Sequence, residues 1–183
     1  MDYIKDVSRQ FPDIDMTNQA IFGMVASILT DVAWERVIKE TYGKEKCDEL
    51  ALKAWDMMGE NAYPLFATML GLPAKLDGIE DAKKIIKGLY RAYLVPMKIT
   101  QDDENAFNFE LLACPYNGYK SYFNVEEGDF ICKNWWAVHP GWLYAVLKKA
   151  GIGHVVEPSN IKKHSAICCG ADTCKLTIKW NKQ

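Results

Sequence analysis

Cysteine is the residue type in this sequence whose number and position most directly suggest chemistry. The chain has 183 residues and six cysteines, and five of the six lie in its last 70 residues, at Cys114, Cys132, Cys168, Cys169 and Cys174. A chain of this length can bury a core without disulfide cross-links. Metal binding or thiol chemistry is therefore the more natural role for this group.

The last two cysteines are predicted to face each other across a β-hairpin. Residues 163–169 and 174–180 have strand-like patterns and flank a four-residue sequence of turn-forming composition. In the second segment apolar residues alternate with polar ones from Cys174 onward, which predicts a buried side for this cysteine. Directly opposed residues have Cβ atoms about 4.5–5.5 Å apart, so Cys169 is expected beside Cys174. Cys168 is expected to point to the opposite face.

Two thiols on one face can hold a metal when further ligands are available. Zinc and iron–sulfur centres usually take four ligands, and Cys114 and Cys132 lie near predicted strand ends and loops. The leading hypothesis is therefore a zinc or iron–sulfur site of Cys114, Cys132, Cys169 and Cys174, although their spacing matches no compact zinc knuckle. A redox or nucleophilic thiol and simple packing are the alternatives that the residues leave open. Cys47, which lies in a predicted helix, is interpreted as a packing residue.

An aromatic cluster and a histidine suggest a ligand pocket and a catalytic group. Trp135, Trp136 and Trp142 belong to a segment rich in aromatic residues, which would either line an apolar pocket or fill the core. His139 precedes a predicted helix beside them. It would act as the catalytic base if one of the hairpin cysteines were a nucleophile, and a structural role is the competing interpretation.

The composition is that of a globular protein with no strongly charged partner. Hydrophobic residues make up 49% of the chain, charged residues 25%, and the formal net charge is -2. These values argue against disorder and against a nucleic-acid binder. The apolar stretch 20–30 is too short to span a bilayer, and charged residues stand where a signal peptide would be apolar. We expect a cytoplasmic protein that binds a small molecule and neither nucleic acid nor membrane. A homodimer is a possible assembly.

The hydrophobic periodicity predicts an α+β protein whose residues 1–183 form a single domain. Residues 1–93 are expected to be mainly helical, because apolar residues recur at three- and four-residue spacing between caps and glycines. Residues 94–183 are expected to form an antiparallel sheet with one further helix, and they hold most of the cysteines. The predicted architecture is an N-terminal helical layer packed on a small antiparallel sheet with this further helix. The predicted helices are about 16–42, 44–58, 60–70, 78–93 and 142–150, and the predicted strands are 94–100, 106–113, 163–169 and 174–180.

Several short segments resemble a known family. Residues 54–62 with 70–73, the Cys-Pro pair at 114–115, the middle cysteine Cys132 and the closing residues 170–176 are similar to L-2-amino-thiazoline-4-carboxylic acid hydrolase-like proteins. The closing hairpin is also similar to that of 4-vinyl reductase domains, which bind small molecules. This chain departs from the family pattern by the sequence that leads to Cys174 and by the extra Cys168.

The resemblance implies a helical layer on an antiparallel sheet with a ligand pocket between them. It also implies that water opens a cyclic amidine-like ring and that the family cysteines correspond to Cys114, Cys132, Cys169 and Cys174. The function expected from it is a cysteine-ligated metal or iron–sulfur protein of the hydrolase-like kind, with a small-molecule pocket. The alternative is a non-catalytic small-molecule sensor or carrier of the 4-vinyl reductase kind.

Overall fold

In the part of the chain that the structure describes, four α-helices pack with one four-stranded antiparallel sheet, which confirms the predicted α+β class. The computed structural model describes residues 16–71, 76–92, 94–114, 140–167 and 170–181. The helices are α1 (Met16–Tyr42), α2 (Lys44–Leu70), α3 (Ile79–Ala92) and α4 (Pro140–Lys149). The strands are β1 (Met97–Asp102), β2 (Ala106–Leu111), β3 (Ile161–Ser165) and β4 (Cys174–Lys179). Two short 3-10 turns, Gly153–Val155 and Pro158–Asn160, connect α4 to β3.

The second helix is longer than its sequence predicted. We expected two helices, 44–58 and 60–70, separated at Gly59, but α2 runs through Gly59 to Leu70 with Pro64 inside it. The helix crosses α4 at Gly59, where a Cβ atom would lie 2.8 Å from the carbonyl oxygen of Trp142. The close helix contact that this glycine permits offsets its low helix propensity, so a residue that predicts a helix end is here a packing residue.

The sheet has the strand order β1-β2-β4-β3, with every neighbouring pair antiparallel. On β4 the buried residues Cys174, Leu176 and Ile178 alternate with more exposed ones, as predicted. The central strand β2 turns Phe107, Phe109 and Leu111 to the same buried side. The two middle strands thus present a continuous apolar face to the helices.

The first strand of the C-terminal hairpin begins and ends earlier than predicted. It covers Ile161–Ser165 instead of residues 163–169, and its register shifts before Ser165. The Ser165 hydroxyl donates to the carbonyl oxygen of Thr173 (2.7 Å) and accepts from the backbone N–H of Lys175 (3.2 Å). This side chain takes the hydrogen bonds that a continuing ladder would have made, and the chain then leaves the sheet.

The helices α3 and α4 cover the apolar face of the sheet. On α3 the buried residues Ala82, Ile85, Ile86, Leu89 and Tyr90 recur at helical spacing, so one side of the helix is apolar. On α4 the buried residues include Trp142, Leu143, Val146 and Leu147. Gly151, with a φ of 82°, follows the end of α4. No helix of the described ranges is long and apolar enough to cross a membrane.

A buried lysine ties α3 to the first hairpin. Lys83 is 3% exposed, and its Nζ contacts Glu80 at 2.7 Å and Asp102 at 2.8 Å. The Nζ of Lys87 contacts the other oxygen of Asp102 at 2.8 Å. Hydrogen bonds from Lys83 and Lys87 lower the pKa of Asp102. Burial lowers the pKa of Lys83, but its bonds to Asp102 and Glu80 outweigh this effect and raise it overall.

Replacing Asp102 with Asn is expected to lower the free energy of unfolding at pH 7 by about 1 kcal/mol, because Lys83 loses its charged partner on the hairpin. Since the folded-state pKa of Asp102 is lowered, its contribution is present above the unfolded pKa of about 3.9. It is lost as the pH falls through the folded-state value. The stability difference between wild type and Asp102→Asn should therefore shrink below about pH 4.

Urea unfolding at pH 7 and at lower pH values measures this difference. Glu49→Gln is the matched control, because Glu49 also binds two lysines, Lys46 and Lys53, at 2.7 Å each, but on the surface. Surface pairs contribute little, so the control should change the stability by less than about 0.5 kcal/mol. Equal effects of the two variants at pH 7 would contradict the structural role assigned to Asp102.

Candidate functional site

Five residues between the helices and the sheet combine aromatic rings with thiols, and we call them the interlayer cluster. All five are buried and belong to one continuous apolar core. The members are Tyr90 of α3, Phe109 of β2, Cys114 after β2, Trp142 of α4 and Cys174 of β4.

Tyr90 supplies a hydroxyl group to this apolar interior. The apolar side of α3 directs the tyrosine at the sheet, where its ring lies 5.3 Å from the ring of Phe109 at an interplanar angle of 55°. Burial, and then the negative charge of a Cys174 thiolate, raise the pKa of Tyr90 far above its usual range. The hydroxyl is therefore protonated at neutral pH and can donate a hydrogen bond.

Cys174 is the member of the cluster that the sequence placed correctly. It is the first residue of β4, lies opposite Leu111 of β2, and points into the core. Its Sγ accepts a hydrogen bond from the backbone N–H of Ile167 at 3.2 Å. On β2, Leu111 and Phe109 share the buried face that Cys174 points to, and the ring of Phe109 packs on that of Tyr90. The thiol and the tyrosine therefore lie in the same apolar surroundings.

Trp142 and Cys114 are the other two members of the cluster and belong to the same apolar core. Trp142 is fully buried near the start of α4, beneath Gly59 of α2, and its role in lining a ligand pocket stays a prediction. Cys114 is buried just beyond the end of β2. Both cysteines of the cluster are thiols and not disulfides. The arrangement offers flat apolar surface together with a hydroxyl donor and sulfur, which suits an apolar ligand with one polar group.

The remaining predicted site residues lie outside the described ranges. They are Cys132, Trp135, Trp136, His139 and Cys169, together with Cys168. Among the described residues no group of three or more His, Cys, Asp or Glu side chains could hold a metal ion. The four-cysteine metal site, the catalytic role of His139 and the pairing of Cys169 with Cys174 therefore stay predictions.

Two further residues with reactive side chains, Cys47 and His164, lie outside this set. Cys47 is buried between α1 and α2, and its thiol donates to the carbonyl oxygen of Glu35 at 3.5 Å, which confirms it as a packing residue. His164 is exposed on β3, and its Nε2 lies 3.0 Å from the hydroxyl of Thr177. The apolar stripe of α3 identifies Tyr90 as an inner residue, yet no local signal in the sequence places it beside Cys174.

The opposite, polar side of the sheet carries two open clefts. The larger, of ≈720 Å³, includes Gln101, Asn108 and Thr177 in its wall. The smaller, of ≈540 Å³, includes Glu110, His164 and Lys175. Small-molecule sites usually bury most of the ligand surface among apolar side chains. Both clefts are open to solvent and would leave much of a small ligand exposed, so the enclosed interlayer cluster is the stronger candidate.

Comparison with known proteins supports the fold. No family model and no curated protein matches the sequence. The phenol-responsive sensory domain of the transcription activator PoxR, solved with phenol, has a similar structure, with a TM-score of 0.55 and 13% identity over 84% of this chain and 74% of that chain. Subunit 3 of a trafficking protein particle complex from Naegleria fowleri, solved covalently bound to palmitic acid, has a TM-score of 0.57 and 15% identity over 92% of this chain and 98% of that chain.

At these identities the two similarities show a shared fold. They support the expected architecture, a helical layer on an antiparallel sheet. Both neighbouring structures were solved with small molecules. The assignment to the thiazoline hydrolase-like family stays a hypothesis.

Proposed function

We propose that this chain is a non-catalytic small-molecule-binding domain, of the sensor or carrier type, which holds a phenol-like ligand at the interlayer cluster. The observation that carries this proposal is the buried Tyr90, whose ring packs on that of Phe109 in the same apolar core that holds Cys174. The shared fold supports it, because one structural neighbour is a sensory domain solved with phenol.

The chemistry of the cluster fits such a ligand. Phe109 and Trp142 offer flat apolar surfaces, against which an aromatic ring packs in tilted or offset geometry. The Tyr90 hydroxyl can donate to the oxygen of a phenol, so that this oxygen is not buried without a partner. A long acyl chain offers no ring to pack against these side chains, so a phenol fits better.

The cluster is closed in this structure, because Tyr90, Phe109, Trp142 and Cys174 are all buried. A ligand can reach them only if the helices and the sheet part locally. Half-buried side chains at the edge of the core, among them Met58 and Met97, can adapt to such a movement, because methionine is unbranched and flexible. We therefore expect association to be slower than is typical for a preformed site.

Replacing Tyr90 with Phe is expected to weaken phenol binding about 5- to 10-fold, because it removes the hydroxyl partner and leaves the ring in place. Tyr63→Phe is the matched control: Tyr63 is half-buried at the edge of the same core, and removing its hydroxyl should leave the affinity unchanged. Thermal unfolding with increasing phenol concentration gives the affinities, since a ligand that binds only the folded state raises the Tm.

Palmitic acid is the second probe in this experiment. A rise in Tm with phenol that Tyr90→Phe reduces and Tyr63→Phe does not is the expected result. Phenol binding that is equally strong in all three proteins would remove Tyr90 from the site. Stabilisation by palmitic acid without any by phenol would overturn the proposed ligand class.

A further inference from the structure

The outer side of α1 carries an uncharged stripe that the rest of the described structure leaves exposed. Phe22, Trp34 and Val37 are 69%, 64% and 53% exposed, which is unusual for large apolar residues. Gly23, Thr30 and Ala33 are also exposed. Of the described elements, α1 packs mainly on α2, so the opposite side of this 27-residue helix has no cover. A continuous exposed patch of this kind marks an interaction surface.

The spacing of the stripe follows the period of a helix seam. Its central line consists of Gly23, Ala26, Thr30, Trp34 and Val37, which are separated by three or four residues. Ala26 is half-buried, and Phe22 and Ala33 lie beside this line. None of them carries a charge. The nearest exposed charges on α1, Arg36 and Glu40, form an ion pair with each other at 3.2 Å. A partner could therefore cover the stripe without burying an unpaired charge.

From these features we infer that the stripe pairs with the same stripe of a second copy of the chain, in an antiparallel arrangement with its two-fold axis at Thr30. In that register Trp34 lies opposite Ala26 of the second copy, and Val37 lies opposite Gly23. Each large side chain faces a small residue, and each contact occurs twice, as a two-fold interface requires. A parallel pair would instead place Trp34 against Trp34 and leave small residues facing each other.

The self-complementary order of large and small residues favours a second copy over an unrelated protein. In this stripe, residues at equal distances before and after Thr30 are small and large, respectively. Such a match is needed for two copies to fit each other, but an interface with a different partner would not require it. The resulting assembly brings two α1–α2 pairs together as four helices, a stable arrangement in many proteins. It also gives a surface to the homodimer that the sequence left open.

Replacing Thr30 with Lys tests the interface at its axis. Two lysines would meet there, and like charges in contact are expected to weaken dimerisation more than about 100-fold. Lysine is a better helix former than threonine, so α1 should remain intact, which circular dichroism can verify. Leu94→Lys is the matched control, since Leu94 is 51% exposed but lies after α3. Size-exclusion chromatography with light scattering over a range of concentrations measures the mass.

The wild-type protein and Leu94→Lys are expected to have twice the mass of one chain. Thr30→Lys is expected to have the mass of one chain. A wild-type monomer at all concentrations, or a Thr30→Lys dimer as tight as wild type, would overturn the inference. Cysteine cross-linking fixes the orientation: Thr30→Cys should form a covalent dimer on oxidation beyond any that the wild type forms, and Val37→Cys should not. Cross-linking of both variants would show a parallel pair and overturn the proposed register.

Discussion

Replacing Trp142 with Ala is expected to lower the free energy of unfolding by about 3–5 kcal/mol, more than we expect from any other single substitution in this protein. The indole is fully buried and lies where α4 meets α2, so its removal leaves a cavity that rigid neighbours cannot fill. Urea unfolding monitored by circular dichroism measures the change.

Trp34→Ala is the matched control for Trp142→Ala. It removes the same side chain from a position that is 64% exposed, so it should cost less than about 1 kcal/mol. Both substitutions should be made in the Thr30→Lys variant, so that dimerisation does not contribute to the measured stability. Losses of similar size at the two positions would contradict the packing described for α4.

Replacing Gly59 with Ala is expected to destabilise the protein by about 2–3 kcal/mol, against the usual effect of this substitution in a helix. Alanine in place of glycine normally stabilises a helix interior by about 0.5–1 kcal/mol. Here the added methyl would lie 2.8 Å from the carbonyl oxygen of Trp142 and 3.0 Å from the Cβ of Ala145. Because one of these atoms belongs to the backbone, α4 would have to move as a whole.

Gly23→Ala provides the comparison, since a Cβ atom at Gly23 meets nothing within 4 Å. In the same Thr30→Lys background it should stabilise the protein by about 0.5–1 kcal/mol. In urea unfolding, Gly59→Ala is expected to lower the free energy of unfolding and Gly23→Ala to raise it. A stabilising effect at Gly59 would show that α2 and α4 are not in close contact there.

The elements of the fold that local patterns specify were predicted well. The α3 helix has a clear apolar stripe, and both its bounds lie within a residue or two of the prediction. The alternation along β4 gave the correct face for Cys174, because period-two burial is a property of the strand itself. The first hairpin and the final helix follow from signals of the same local kind.

The elements that depend on distant contacts were predicted less well. Gly59 indicated a helix end because the effect of glycine on a helix is local, whereas the contact that accommodates it comes from α4, more than 80 residues later. The early end of β3 depends on the Ser165 side chain, which replaces ladder hydrogen bonds at Thr173 and Lys175. Neither event has a signature within a short window of sequence.

The residues of the candidate site also differ in whether local sequence patterns or distant contacts place them. Cys174 was identified as an interior residue from strand alternation, whereas Trp142 was singled out by its aromatic-rich segment as a pocket or core residue; both are buried. Tyr90 and Phe109 were not identified, because only the packing of α3 on β2 brings their rings within 5.3 Å. The metal site of Cys114, Cys132, Cys169 and Cys174 stays a prediction, and zinc and iron analysis of anaerobically purified protein would test it.

Calorimetric titration of phenol into the wild-type protein tests the proposed binding function most directly. We predict saturable binding of about one phenol per chain, with a negative heat-capacity change on binding because apolar surface is buried. Heats that never exceed those of dilution at phenol concentrations well into the millimolar range would contradict the assignment of a phenol-like ligand to the interlayer cluster.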